Sequence, residues 1–139
     1  VDNIVKPVRM VTRYSLDKNY GIKLPSGLCM RYSDMKESNG EFSYKGRAGR
    51  TKIYGGKVTE NVCQAIARCI IGEQMLKIAE RYKVVLTVHD SVVCCVPEND
   101  LDDARHYVEK CMSTTPEWAK GLPITCESGV GKSYGQCGG

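Results

Sequence analysis

Val84–Val96 reads VVLTVHDSVVCCV, an apolar run broken at its centre by His89, Asp90 and Ser91. Its flanks are rich in β-branched residues and poor in helix formers, which favours strand over helix. A polar triplet between two such runs is turn chemistry. The stretch therefore predicts two antiparallel strands, roughly Val84–Val88 and Val92–Val96, joined by a tight turn. Pro97 closes the second strand, because it has no backbone N–H to offer a ladder. This reading decides the fold, since it places a carboxylate at the tip of a ribbon held by two apolar strands.

Upstream the period changes. Through TENVCQAIARCIIGEQMLKIAERY the residues Val62, Ile66, Cys69, Ile70 and Leu76 fall roughly on one helical face. Thr59 is the expected N-cap, following Gly55 and Gly56. Gly72 costs the helix interior about 1 kcal/mol relative to Ala, which a long packed helix tolerates. Earlier still lie short β-prone pieces, VRMVTRY and GLCMRYS, separated by turn material at LDKNYG, LPSG and ESNG. GIKLPSGLCMRY reads as a hairpin turning at Pro25, Ser26 and Gly27, and a second ribbon is expected over Glu41–Tyr54.

Downstream of the central hairpin, Asn99 is the expected cap of a helix to about Met112. Leu101, Ala104, Val108 and Cys111 share a face there, and Asp102 and Asp103 sit in the first turn, where the helix dipole favours them. Trp118, in TTPEWAKGLP, is expected to fold its indole back over the core. A last strand near Leu122–Glu127 then leads into GVGKSYGQCGG, whose glycines suggest an extended tail. The order is strands, long helix, hairpin, helix, strand: an α+β fold with helices packed on one face of an antiparallel sheet. We read residues 1–139 as a single domain, with a small β-rich basic segment over 1–58 and the helix, hairpin, helix, strand and tail over 59–139.

Composition limits the classes open to the chain. Its 139 residues suffice for one domain and not two, with 42% hydrophobic and 26% charged residues arguing against disorder. No apolar run approaches the roughly 18 residues of a membrane span. The opening VDNIVKPVRM has no basic start followed by an apolar block, so no secretory signal is expected, and its lack of a Met reads as a piece of something longer or a processed chain. The eight cysteines form no C-x-x-C pair and have only His89 and His106 for company. They read as small hydrophobes in a reducing cytoplasm, not as a zinc site or disulfide framework. The net charge is +4, but KGRAGRTKIYGGK (residues 45–57) carries Lys45, Arg47, Arg50, Lys52 and Lys57 without an acid. Such a run is either a solvated loop or a surface that lies along phosphates.

Asp90 is the candidate for chemistry. As a turn residue it could simply bond its own backbone. As an exposed carboxylate on a rigid support it also suits Mg²⁺, which takes one or two carboxylates from protein and its other oxygens from water and phosphates.

LTVHDSVV resembles the third palm motif of family A DNA polymerases, the group of bacterial DNA polymerase I and related phage enzymes, in which His-Asp-Glu sits on a hairpin after a long helix. GGKVTENVCQAIAR resembles that family's helix presenting Gln and Asn to the primer-template minor groove. ITCESGVGKSYGQ resembles its C-terminal tail in phage enzymes, and YGIKLPSGLCMRY the stretch between fingers and helix. The first three cover about the last 85 residues. The resemblance implies a phage-type palm segment with a palm-type sheet, found in a bacterial host's cytoplasm. Its partners would be primer-template DNA, dNTP and the upstream polymerase segments, in cis or in trans, and no membrane. Asp90 would be one of two aspartates binding Mg²⁺ or Mn²⁺ ions, two in the complete enzyme. His89 would act beside the primer terminus, and Gln64 would donate to the minor-groove acceptors that every base pair displays. Asn61 or Glu60 would occupy the neighbouring position. Lys57, Lys52, Arg50 and Arg47 would contact phosphates, which position DNA without reading sequence.

The chain departs from the family pattern in two places. Ser91 stands where the family has Glu. The first palm motif, an Asp followed closely by Ser and Glu, is not found, nor is the fingers helix with Arg, Lys and Tyr; Asp34 and Asp100 lie in the wrong context to replace it. Two aspartates are needed to hold a pair of ions about 4 Å apart, and one cannot do this, so the chain alone is expected to be inactive. A different class remains open, a DNA-binding module without catalysis. A small phosphohydrolase using His89 and Asp90 would need further ligands.

Overall fold

The computed structural model describes residues 9–12 and 20–137, and the chain divides into two compact units, Val1–Ala67 and Arg68–Gly139. The first unit is built from two small antiparallel sheets. β1 (Arg9–Thr12), β2 (Tyr20–Lys23) and β3 (Cys29–Tyr32) form one, in that order. The β2–β3 connection is the turn expected at Pro25–Gly27, closed by Leu24 N–H to Leu28 O at 2.8 Å, with Gly27 at φ +92°. The first four residues of LDKNYG and both ends of VRMVTRY lie outside the described residues, as do Gly138 and Gly139.

β4 (Lys36–Ser38), β5 (Glu41–Gly46) and β6 (Gly49–Ile53) form the second sheet, pairing Ser38 with Glu41 and Gly46 with Gly49. Asn39 and Gly40 make the first of these turns, with φ +53° and +78°. Positive φ at both central residues is the type I′ pattern, which matches strand twist and which Asn-Gly adopts cheaply. One side of this sheet is apolar. Ile53 is buried with Ile22 and Tyr32, and Met30, Met35, Tyr44, Val58 and Val62 pack against them. Tyr32 meets Tyr44 edge to face at 5.1 Å, a geometry that aligns ring edge with ring face.

α1 (Gly55–Ala79) is a single 25-residue helix. In the second unit its Ile70, Gln74 and Ile78 are buried, spaced four apart as one helical face requires. β7 (Lys83–Val88) and β8 (Ser91–Cys95) form the hairpin read from the sequence, and α2 (Leu101–Met112) follows a 3₁₀ turn over Glu98–Asp100. Ile78, Tyr82, Ala104 and Cys111 make the core, with Val84, Val92, Cys94, Val96, Tyr107, Val108 and Met112 packed around it. The helices thus cover one face of the β7–β8 ribbon, and the fold is α+β. Burial pushes the Cys94 thiol above its ordinary range, so it serves as a neutral apolar group.

Gln74 crosslinks this unit. Its Nε2 donates to Met112 O at 2.6 Å and Thr114 O at 3.1 Å, tying α1 to the last turn of α2 and the residues beyond. Two carbonyls can only accept, so the amide's orientation is fixed, and its Oε1 is left buried without a hydrogen-bond partner among the described residues. The Trp118 indole does fold inward, donating to Glu73 Oε1 at 2.5 Å.

Several local expectations are corrected. α1 begins at Gly55, and Thr59 is not its cap: the Thr59 hydroxyl donates back to Gly55 O at 3.1 Å from inside the first turns. Leu76 is 71% exposed. Six residues beyond Ile70 it has turned roughly 240° from the buried face, at 3.6 residues per turn. α2 is preceded by Asp100, not Asn99, and no side chain caps it; the Asp100 carboxylate instead accepts from Tyr82 OH at 2.7 Å. Leu122–Glu127 shows a strand's alternating burial but pairs with no strand among the described residues. Pro123 removes a donor, and the segment is held from its side: Thr115 Oγ1 donates to Leu122 O, and the Cys126 thiol lies 3.3 Å from the Ser113 hydroxyl. The tail is not fully extended, because Tyr134–Cys137 forms a helical turn, α3, that doubles back on Gly129 and Gly131. A Cβ at Gly129 would collide with Cys137 O. Among the described residues no helix is long and apolar enough to cross a membrane.

Candidate functional site

In the second unit the register pairs Val88 with Ser91, which leaves His89 and Asp90 as a two-residue turn. His89, Asp90 and Ser91 are all exposed. Inward-facing Val84, Val92 and Cys94 seat the ribbon on the core, so its tip is carried by a packed base. Of the two turn residues only His89 has positive φ, at +55°. That is the sign pattern of a type II′ turn, whose first central position favours Gly. The contrast with Asn39-Gly40 is informative, because this hairpin holds a bulky residue where a smaller one would be more comfortable. Left-handed backbone costs an L-residue about 1–2 kcal/mol, and Gly would return roughly 0.5–1 kcal/mol of that as extra unfolded-state freedom. His89→Gly should therefore raise the urea midpoint by an equivalent of about 0.5–1 kcal/mol without changing the m-value. A lower midpoint would show that the imidazole itself supports the fold.

The first unit carries the other residues named from the sequence. Gln64 is exposed on α1. Asn61, one turn earlier, is half-buried and donates through Nδ2 to Tyr32 OH at 3.1 Å, so part of its amide is committed to the local core. Glu60 pairs with Lys57 at 2.8 Å. That hydrogen bond, reinforced by the carboxylate's charge, holds the Lys57 ammonium above its ordinary 10.5. Lys52 pairs with Glu41 at 2.6 Å. Arg50 engages the Asp34 carboxylate and carbonyl and also the Ser43 hydroxyl. Arg47 sits at the β5–β6 turn, exposed, and makes no ion pair among the described residues. Exposed pairs of this kind contribute little, about 0–1 kcal/mol, so their cations can exchange partners at small cost. Sequence reading passed over Lys36 and counted Lys45 only as part of the basic run; register places both on the same sheet face as Arg50 and Lys52. The readable signal was alternation, with cations at every second position of β6.

As a metal site the chain offers one fit and one shortfall. Asp90 is an accessible carboxylate with no ion pair among the described residues, which suits a single hard-cation ligand. Asp34 is occupied by Arg50 and Lys36, and Asp100 by Tyr82. No group of three or more His, Cys, Asp or Glu side chains converges among the described residues. Asp90 can thus contribute to an ion's shell but does not complete one.

Comparison with known proteins gives one firm relation. The chain is 35% identical to a protein named DNA polymerase from Bacillus phage SP02, over a 127-residue alignment covering 81% of this chain. It spans only 19% of that protein's length. No family model matches the chain. No solved structure matches it either.

Proposed function

We propose that this relative of a phage DNA polymerase is the palm segment of a family A DNA-directed DNA polymerase, contributing Asp90 to template-directed transfer of nucleotides from dNTPs to a primer 3′-hydroxyl. The observation that carries the reading is the His89–Asp90 turn, exposed at the apex of a ribbon whose base is packed, with His89 in the positive-φ region that few non-glycine residues occupy. The relation to the phage enzyme supports the same reading.

In that role Asp90 supplies a carboxylate oxygen, at the tip of a ribbon whose base is packed on the core. His89, immediately before it, offers an imidazole N–H to the sugar or phosphate of a primer end. Gln64, exposed on α1, has an amide able to donate to minor-groove acceptors, which report a correct pair without reading its sequence. Bound Mg²⁺ would stabilise charge on the attacking and leaving oxygens. Ser91 brings a neutral hydroxyl where a second carboxylate would otherwise stand, so the turn presents one negative charge.

Half a metal site makes a direct test available. The 139-residue chain alone should give no Mg²⁺-dependent extension of a primed template, whereas the same chain joined to the remainder of its polymerase should extend it. Extension by the isolated chain that disappears in Asp90→Ala would overturn the incomplete-site reading. Salt-sensitive duplex binding with no extension in either form would favour a non-catalytic DNA-binding module.

A further inference from the structure

The β7–β8 ribbon is a lever. Asp90 stands at one end of it, and the other end opens where Lys83 pairs with Cys95. The 6 residues of β7, at about 3.4 Å of rise each, put the turn roughly 17–20 Å from that open end. A tilt of about 5° at the base therefore carries the tip through about 1.5 Å. A misplacement of about 1 Å is enough to cost a catalytic group on the order of 10²-fold in rate. Whatever fixes the base of the ribbon fixes the aim of the carboxylate. The ladder is irregular close to that base, because the register shifts between Val84 and Leu86 and leaves Val85 without an opposite residue on β8. An irregularity of this kind bends a strand and increases its twist. Val85 is 50% exposed and Leu86 46%, so the outer face gives it no packing support among the described residues.

One side-chain contact closes the open end. Tyr82 directly precedes β7, Asp100 ends the 3₁₀ turn that leads from β8 into α2, and the Tyr82 hydroxyl donates to Asp100 Oδ2 at 2.7 Å. The Tyr82 ring is buried, meets Tyr107 edge to face at 5.7 Å, and has the Arg81 guanidinium 5.3 Å from its centre. Its backbone N–H donates to Ile78 O in the last turn of α1 at 2.9 Å. Asp100 stands at the N-cap of α2, where a carboxylate ordinarily accepts from the first helical N–H groups, yet it makes no capping bond. Its backbone, at φ −111° and ψ 13°, is turned out of the extended conformation that a cap requires, and the carboxylate goes to Tyr82. A helix cap is forgone for a bond that ties the end of α1 to the start of α2 across the foot of the ribbon.

We infer that Tyr82 is a positioning residue for the Asp90 carboxylate: its hydroxyl, held by Asp100, sets the angle at which the β7–β8 ribbon presents Asp90 to a cation. The inference rests on the catalytic role proposed for Asp90. Its geometric half, that the bond sets the angle of the ribbon, stands independently of that role.

The test has a geometric and a kinetic arm. In the full 139-residue chain, residual dipolar couplings of the β7–β8 amides, referred to those of α2, read the orientation of the ribbon. Tyr82→Phe keeps the ring and its packing, and should rotate the ribbon by about 5°, the tilt that displaces Asp90 by about 1.5 Å. In the complete polymerase the same variant should lower kcat about 10- to 100-fold, with KM for the primed template little changed. Asp100→Asn keeps an oxygen for the hydroxyl and should match the parent in both arms. Asp100→Ala removes the bond from its half-exposed side, should reproduce Tyr82→Phe, and decides the matter if the Phe variant does not fold. Parental couplings in Tyr82→Phe and Asp100→Ala overturn the inference, and so does slower turnover with the ribbon unmoved, which marks a loss of stability only. A ribbon that rotates in an enzyme indifferent to Asp90→Asn sinks the catalytic reading and leaves the geometric half standing. A ribbon that stays in place while Asp90→Asn abolishes turnover removes Tyr82 alone.

Discussion

Asp90→Asn, introduced into the complete polymerase that contains this segment, is expected to lower kcat on the order of 10³-fold, or about 4 kcal/mol of transition-state stabilisation. The substitution keeps the shape of the side chain and its position in the turn, so the hairpin should fold as before. What is lost is the negative charge that a divalent ion needs from protein, and Asn's neutral amide oxygen is a poor substitute for it. Because the effect arises in the transition state, KM for the primed template should move little. Steady-state extension in Mg²⁺ reads both quantities. A kcat within tenfold of the parent would mean that the ion is held elsewhere, and that His89 and Asp90 are an ordinary turn.

The largest stability effect should come from Ile78→Ala. Ile78 is fully buried in the core that seats the β7–β8 ribbon. Removing three carbons there forfeits their transfer free energy and leaves a cavity, with an expected cost of about 2–5 kcal/mol. Ile78→Val, which removes one, should cost about 0.5–1.5 kcal/mol. Small domains have only about 5–15 kcal/mol in total, so the larger truncation brings the second unit close to unfolding. A fall in the urea midpoint at constant m-value measures it. A cost below 1 kcal/mol for the Ala variant would show that this core collapses to fill the space.

The hairpin and both long helices were readable because each carries a strong period. β-branched runs on either side of HDS left little choice, and Leu101, Ala104, Val108 and Cys111 mark α2 whichever residue precedes it. Weaker elements failed for physical reasons. β4 is three exposed polar residues, Lys36–Ser38, with no apolar alternation to betray it; only the Asn-Gly turn after it hinted at a strand. Leu122–Glu127 shows a strand's alternation without a strand's partner, since burial on one side can be provided by α2 as well as by a sheet. Leu76 misled because a hydrophobic residue near a helical face was counted as being on it. At the site, Asp90 and His89 were legible as residues, but the backbone conformation of His89 was not. The pairing of Lys45 with Arg50 required the register, which sequence spacing suggests and does not fix.

Gln74 carries a consequence for how this chain can change over generations. Its amide hydrogens are both directed at carbonyl oxygens, those of Met112 and Thr114. Glutamate, one codon base away and nearly the same shape, would put one bare oxygen where a single nitrogen now carries both hydrogens, in a buried setting with no cation beside it among the described residues. The easiest step in the genetic code is therefore among the hardest here, and drift at this position is channelled toward residues that sacrifice the contact instead of reversing it.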